Sequence, residues 1–179
     1  QEALRQLTNG QFYEEVPDDL TEANQKRVQD VLQKEIKESR LPQSATNLLI
    51  QHPRCSKFYL LPKIHKLGNP GRPIVSACSC PTEQISKYLD SVLQPIVTTL
   101  ATYLKDTKHA LQVIESFTFN AEGPKLLLTM DVKSLYTVIP NQEGLKALQH
   151  FLNKRSNKSP WTDTLLRLAE LVLTLNCFK

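Results

Sequence analysis

Apolar residues recur every three to four positions in several stretches of the chain, which is the spacing of an amphipathic helix. On this basis we predict helices over residues 21–39, 82–100 and 103–117 and over a stretch that begins at Asn141. Thr21 and Asn141 are the expected N-caps of the first and the last of these. Pro95 is expected to bend or shorten the second. Ser159-Pro160 is expected to cap and open a fifth helix, which is mostly apolar and therefore buried.

Three further stretches have the composition of β-strands. Residues 58–64 and 72–77 flank the segment KLGNPG, which holds two of the five glycines of the chain and predicts a hairpin-like turn. Residues 125–132 follow the dipeptide Gly123-Pro124, which interrupts regular secondary structure, and their apolar run ends at a carboxylate, Asp131. We predict that this third stretch is a buried strand. Helices with a few interspersed strands indicate an α+β fold.

Composition sets broad limits on function. The chain has 179 residues, of which 40% are hydrophobic, so it can bury the core of one domain. Its net charge of +4 is weak support for a polyanionic partner, and no apolar run is long enough to predict a membrane span. The four cysteines match neither a disulfide framework nor a zinc motif, so we expect reduced thiols in an intracellular protein. Because the chain starts at Gln1 and stops just after an apolar run, we expect a fragment of a longer protein.

Positive charge is concentrated in one acid-free stretch. No acidic residue lies between Glu38 and Glu83. The cations of this stretch are Arg40, Arg54, Lys57, Lys63, Lys66 and Arg72. Four of them lie on or beside the predicted hairpin, where Lys and Arg without counter-charge suit the binding of phosphate groups. The alternative is an ordinary solvated hairpin whose lysines protect its edges from aggregation.

Asp131 allows two interpretations. It can cap the following turn by accepting backbone N–H groups, a role that Ser134 can share. It can also be a ligand in two-metal phosphoryl transfer, in which carboxylates bridge ions about 3.5–4 Å apart. Such a site needs more than one carboxylate, yet Asp131 is the only acid between Glu122 and Glu143. Either the site is not catalytic, or its other carboxylates lie elsewhere.

Five blocks follow one another along the chain and read FYLLPKIHK, GRPIVS, TEQISKYLDSVLQPI, TYLKDT and DVKSLYTVIPNQEGL. In this order they resemble the reverse transcriptases of Penelope-like retroelements. The resemblance implies a partial right-hand polymerase fold. Residues 1–81 would form the fingers, with the basic hairpin at 58–77, and residues 82–179 the first part of the palm, with the first catalytic motif at 125–140.

The same resemblance implies roles for residues of the catalytic motif. Asp131 would be the first catalytic aspartate and would ligate both Mg²⁺ ions, with the backbone carbonyl of Val132 as a further metal contact. Ser134 and Leu135 would offer backbone N–H groups to the incoming triphosphate. Tyr136 would stack beneath the sugar and exclude a 2′-hydroxyl, although it could instead be an ordinary core aromatic residue.

In the fingers, the resemblance implies nucleic-acid and nucleotide contacts. Lys63, Lys66 and Arg72 would hold the triphosphate or the template backbone. Lys57 and His65 are the candidates for contact with the template.

The resemblance therefore implies an RNA-directed DNA polymerase of a retrotransposon that acts in the nucleus. It would use an RNA template, a DNA primer, deoxynucleoside triphosphates and Mg²⁺. The Tyr-x-Asp-Asp motif that completes the catalytic site in the family is absent from these 179 residues, so we expect them alone to be inactive. The alternatives are a non-catalytic nucleic-acid-binding module derived from such an enzyme, and an interaction domain built on the apolar helix at residues 165–175.

Overall fold

The computed structural model describes residues 2–8, 10, 12–64, 67–118, 123–124, 126, 128–132 and 135–179. The α-helices are α1 Glu2–Leu7, α2 Thr21–Lys37, α3 Glu83–Val97, α4 Thr107–Ser116, α5 Leu135–Val138, α6 Asn141–Asn153 and α7 Thr162–Thr174. A 3₁₀ helix spans Gln43–Leu48, and the strands are β1 Lys57–Pro62 and β2 Gly71–Ser76. The described chain is thus α+β, as the sequence predicts.

The hydrophobic core lies around α7, which packs against α2, α3 and α6. Its buried residues are Val28, Leu32, Leu41, Ala45, Ile85, Leu89, Leu152, Leu165, Leu168, Ala169 and Leu171. Burial of a leucine side chain contributes about 1.5–3 kcal/mol relative to its exposure. The helix at residues 165–175 is therefore mainly part of the core, as the sequence predicts for a mostly apolar helix, and does not offer its apolar side as a free surface. Residues from both the predicted fingers and the predicted palm contribute to this one core.

Most of the predicted helices are confirmed, but several begin at other residues. Thr21 is the first residue of α2 and not its N-cap, which is Leu20. Asp19 Oδ1 accepts hydrogen bonds from both the backbone N–H and the hydroxyl of Thr21. The third helix begins at Thr107 and not at residue 103. Asp106 is its N-cap and accepts a hydrogen bond of 2.8 Å from the backbone N–H of His109.

Two further helix starts also differ from the prediction. Asn141 is the first residue of α6, and its side chain donates to the carbonyl of Leu173 at 3.3 Å. The last helix begins at Thr162, two residues beyond Pro160, so Ser159 does not cap it. Pro95 lies in the last turn of α3, which ends at Val97, earlier than predicted.

The predicted buried strand at residues 125–132 is wrong for the residues that the structure describes there. Residues 126 and 128–132 belong to no strand, and their side chains are exposed. Leu126, Leu128 and Met130 are 78%, 73% and 94% exposed. A strand needs a neighbour that completes its hydrogen bonds, and the sheet of the described chain contains only β1 and β2.

Within the described ranges, no helix is both long enough and apolar enough to span a bilayer.

Candidate nucleic-acid interface

The basic stretch folds into the predicted antiparallel hairpin. β1 and β2 pair from Lys57–Ser76 to Pro62–Gly71, and the N–H of Lys63 donates to the carbonyl of Pro70 at 3.0 Å, which extends the ladder by one pair. Within the turn, Gly68 has a φ of 76°, a conformation that glycine adopts without steric cost. A Cβ atom on Gly71 would lie 2.8 Å from Leu60 Cδ1, so the close approach of the two strands also favours glycine there.

The register divides the hairpin into two faces. Opposed residues of an antiparallel pair share a face, and successive residues alternate between faces. One face carries Lys57, Tyr59 and Leu61, with Arg72 opposite Leu61. Lys63 follows on the same side by alternation. We call these five residues the basic face.

The basic face is largely exposed to solvent. Lys57 and Arg72 are exposed, and Tyr59 and Leu61 retain 46% and 47% of their accessible surface. From Lys57 to Lys63 the face is about 20 Å long at about 3.4 Å per residue. Three cations and one aromatic ring therefore lie along a surface that can contact several phosphates of one strand.

The opposite face of the hairpin is held against the end of the chain. Phe58 stacks on Phe178 with 5.5 Å between the ring centroids, and Tyr13 meets the edge of Phe178 at 5.9 Å. Ser56 and Phe178 form a parallel bridge. The N–H of Lys179 donates to the Ser56 carbonyl at 3.0 Å, and the N–H of Phe58 donates to the Lys179 carbonyl at 2.9 Å. These contacts hold one face of the hairpin, whereas Lys57, Tyr59, Leu61 and Arg72 on the basic face are exposed.

Counter-charge is present at the base of the hairpin, which the acid-free sequence does not suggest. A cavity of about 430 Å³ is lined by Asp19, Thr21, Glu22, Pro53, Arg54, Cys55, Lys57 and Lys179. Asp19 Oδ2 lies 3.9 Å from Lys179 Nζ. Hydrogen bonds from Thr21, together with the charge of Lys179, lower the pKa of the Asp19 carboxyl below its usual value. Lys57 thus lies near two carboxylates, whereas Lys63 and Arg72 lie toward the other end of the ladder.

Two predicted contact residues, His65 and Lys66, lie outside the described residues. Their described neighbours, Ile64 and Leu67, are 82% and 104% exposed. The tip of the hairpin therefore offers apolar side chains to solvent on either side of the two undescribed residues.

Asp131 is exposed and has no hydrogen-bond or ion-pair partner among the described residues. No group of three or more His, Cys, Asp or Glu side chains that could hold a metal ion occurs among the residues searched, which are the described ones. Mg²⁺ is commonly held by one or two carboxylates with water and substrate phosphates. Asp131 and the adjacent Val132 carbonyl offer one carboxylate and one neutral oxygen, and the metal-binding role that the resemblance implies for them stays a prediction.

The residues that follow Asp131 are only partly described. Leu135 begins the short helix α5 and is 44% exposed. Tyr136 lies within α5, but its side chain, like all of Ser134, lies outside what the structure describes. The nucleotide-binding roles that the resemblance implies for Ser134, Leu135 and Tyr136 stay predictions.

The helical core contains a buried carboxylate that the sequence pattern does not suggest. Glu35 is 0% exposed. Its carboxylate accepts a hydrogen bond from the Thr164 hydroxyl at 2.6 Å, lies 2.5 Å from Arg167 Nη1 and lies 3.7 Å from Arg40 Nη1. Burial acts to raise the pKa of Glu35, but the hydrogen bonds from Thr164 and Arg167 and the charges of Arg167 and Arg40 outweigh it and lower that pKa.

The signal that could have identified Glu35 is its position on α2. Val28, Leu32 and Glu35 are spaced by four and three residues, so they lie on one face of the helix, and all three are buried. The arrangement joins α2 to α7 and contains no exposed reactive group, so we assign it to stability.

No family model, curated protein or solved structure matches this chain.

Proposed function

We propose that this chain binds nucleic acid through the basic face of the hairpin, as the fingers and first palm segment of a reverse transcriptase of the Penelope-like type. The observation that carries the proposal is the register that places exposed Lys57 and Arg72 on one face of the hairpin, with half-buried Lys63 following on the same side by alternation. Ammonium and guanidinium groups bind phosphate oxygens and release condensed counterions, which gives sequence-independent affinity. The polymerase part of the proposal rests on the ordered sequence blocks alone.

The arrangement of the face favours a single strand as the ligand. Tyr59 lies between Lys57 and Leu61 along β1, and the residue is 46% exposed. Proteins that bind single strands without sequence preference combine a cationic surface with aromatic rings on which bases stack. We therefore expect phosphates at the cations and one base on the Tyr59 ring.

Charge replacement tests the binding. In the triple variant Lys57→Gln, Lys63→Gln, Arg72→Gln, affinity for a single-stranded oligonucleotide should fall, and the slope of log affinity against log salt should become shallower by about 2, at about 0.7 per lost phosphate contact. The matched control is Lys26→Gln, Lys34→Gln, Lys146→Gln, which removes the same charge from exposed positions on α2 and α6. If both variants change the slope equally, the hairpin is not the binding site.

The single variants refine this test. Because Asp19 and Glu22 share a cavity with Lys57, Arg72→Gln should weaken binding more than Lys57→Gln. Circular dichroism and thermal unfolding should show that each variant is folded. An equal or larger effect of Lys57→Gln would contradict the charge distribution proposed for this face.

A second candidate function is a non-catalytic binding module derived from such an enzyme. The exposure of Asp131 and the absence of a metal-binding cluster among the described residues favour it for this chain taken alone. We expect residues 1–179 to bind a primer–template duplex or single strand without extending a primer at any Mg²⁺ concentration. Metal-dependent incorporation of a deoxynucleotide that Asp131→Asn abolishes would overturn this expectation.

A further inference from the structure

Cys55 and Cys177 occupy neighbouring positions on two short paired segments. Ser56 and Phe178 form a parallel bridge, so the residues that directly precede them face each other across the same pair of segments. Paired strands lie about 4.7–4.9 Å apart, which is within the range of about 4.4–6.8 Å that separates the Cα atoms of disulfide-bonded cysteines. Cys55 and Cys177 are both partly exposed, and neither is in a disulfide.

We propose that Cys55 and Cys177 are a redox-active pair that a peroxide oxidises to a disulfide. The new bond would join the residue two positions before β1 to the segment that follows α7. It would thereby hold together covalently the two segments that are already joined by hydrogen bonds between residues 56–58 and Lys179. The proposal does not rest on the nucleic-acid binding proposed above.

The chemistry balances with the peroxide as oxidant. The Cys177 thiolate attacks one peroxide oxygen and the O–O bond breaks, which gives a sulfenic acid at Cys177 while the leaving oxygen takes a proton and departs as an alcohol or water. The Cys55 sulfur then attacks the sulfenic sulfur, and the S–O bond breaks. The expelled hydroxide takes the Cys55 proton and leaves as water. Two thiols and one peroxide thus give one disulfide, one alcohol or water, and one further water.

The surroundings of the pair set the order of these steps. Burial raises the pKa of the Cys55 thiol, and the charge of Asp19 and contact with Cys177 act in the same direction. Thiolates are the attacking species, so Cys55 is the poorer first nucleophile. Asp19 and Cys55 line the same cavity, and the negative charge of Asp19 disfavours a thiolate at Cys55, so Cys177 attacks the peroxide and Cys55 resolves the sulfenic acid.

The other two cysteines provide a control within the same chain. Cys80 is buried beside the Thr82 hydroxyl at 3.4 Å, whereas Cys78 is exposed. Only one residue separates them in the sequence, and no strand pairing brings them to facing positions. Exposed Cys78 can react with peroxide, but no thiol faces it to convert the resulting sulfenic acid into a disulfide. We therefore replace Cys78 and Cys80 together in the variant Cys78→Ser, Cys80→Ala.

The experiment treats this variant and the unmodified chain with one equivalent of hydrogen peroxide. We expect both to lose two titratable thiols while staying monomeric, to yield a linked peptide containing Cys55 and Cys177, and to recover both thiols with dithiothreitol. The reaction should be about tenfold or more faster in buffer than in denaturing urea, because the fold holds the two sulfurs together. Closing this long loop should raise Tm by about 5–15 °C.

Three results would overturn the proposal. They are disulfide-linked dimers, sulfinic acid at either residue without the linked peptide, and equal rates in buffer and in urea. In Cys55→Ser, oxidation should stop at a sulfenic acid on Cys177 that a dimedone reagent traps. Absence of that adduct would contradict the assignment of Cys177 as the attacking thiol. The unmodified chain supplies the same peptide evidence if the double variant does not fold.

Discussion

The Thr164 hydroxyl donates a hydrogen bond of 2.6 Å to Glu35 Oε2, and the two residues lie 129 positions apart in the chain. Both side chains are 0% exposed, so neither can exchange its partner for water. Arg167, one helical turn after Thr164 and on the same side of α7, pairs with the other carboxylate oxygen. The register between α2 and α7 is therefore specified by polar groups as well as by leucines.

Replacing Glu35 tests this arrangement. Glu35→Gln keeps an acceptor for Thr164 but removes the charge opposite Arg167, and we expect a loss of about 1–3 kcal/mol in the free energy of unfolding. Glu35→Ala also leaves the Thr164 hydroxyl without an acceptor and opens a cavity, so its loss should be about 3–5 kcal/mol. Urea unfolding followed by circular dichroism measures both values.

The control for this prediction is Glu143→Gln. Glu143 pairs with Lys146 at 2.8 Å, but both side chains are more than half exposed, so the change should alter stability by less than about 1 kcal/mol. If Glu35→Gln lowers the free energy of unfolding no more than Glu143→Gln does, the buried network does not stabilise the fold.

Stability should also depend on pH through Glu35. The pKa of its carboxyl is lower in the folded chain than the usual value of 4.5, so the unfolded chain binds more protons in this range. The stabilisation is complete above about pH 5 and is lost as pH falls through the folded-state pKa. Glu83 acts in the same direction, because hydrogen bonds from Lys87 and from the Ser79 N–H lower its pKa.

Thermal unfolding from pH 7 to pH 3 checks this dependence. Tm of the unmodified chain should fall below about pH 5, and the fall should be shallower in Glu35→Gln, which has no proton to bind at that position. Parallel curves for the two proteins would show that Glu35 is not the group responsible.

The sequence predicts features that depend on nearby residues better than features that depend on distant ones. The hairpin is predicted from alternation in β1 and β2 and from the glycines of the turn, all within about twenty residues. Glu35 was not recognised because its partner lies on α7, and charge on a helix normally indicates a solvated face. The spacing of apolar residues does not mark where the third predicted helix begins, whereas the N-cap preference of Asp106 places residues 103–106 outside it.

The stretch before Asp131 shows a different limit. An apolar run has the composition of a buried strand whether or not a neighbouring strand is present. In the described residues no third strand pairs with it, so Leu128 and Met130 stay exposed. The sequence predicts the cations of the basic face but not the place of Tyr59 among them. Only the register of the hairpin shows that Tyr59 shares a face with Arg72.

Asp131→Ala distinguishes the two interpretations of that residue. Asp131 is exposed and has no described partner, so we expect a change in stability within about 0.5 kcal/mol. Replacing a residue that caps a turn or helix with alanine would cost about 1 kcal/mol. Asp106 provides the comparison, because it does cap α4. Asp106→Asn keeps a capping oxygen and should change stability little, whereas Asp106→Ala should speed amide hydrogen exchange in the first turn of that helix. A loss near 1 kcal/mol in Asp131→Ala would favour the capping role.

Tyr59 is the residue on the basic face whose replacement separates stacking from charge. Tyr59→Ala should weaken binding of a single-stranded oligonucleotide by about 5- to 150-fold, the equivalent of about 1–3 kcal/mol for one stacked base. The salt slope should not change, because no phosphate contact is lost. Tyr59→Phe keeps the ring and should bind about as tightly as the unmodified chain.

Leu61→Ala is the matched control for lost apolar surface, because Leu61 lies on the same face and is exposed to the same extent, 47% against 46%. Fluorescence anisotropy with labelled oligonucleotides at several salt concentrations measures all three variants. Equal losses for Tyr59→Ala and Leu61→Ala would indicate general apolar contact rather than stacking. A change in salt slope for Tyr59→Ala would instead mean that the ring holds the neighbouring cations in place, since only the loss of phosphate contacts alters that slope.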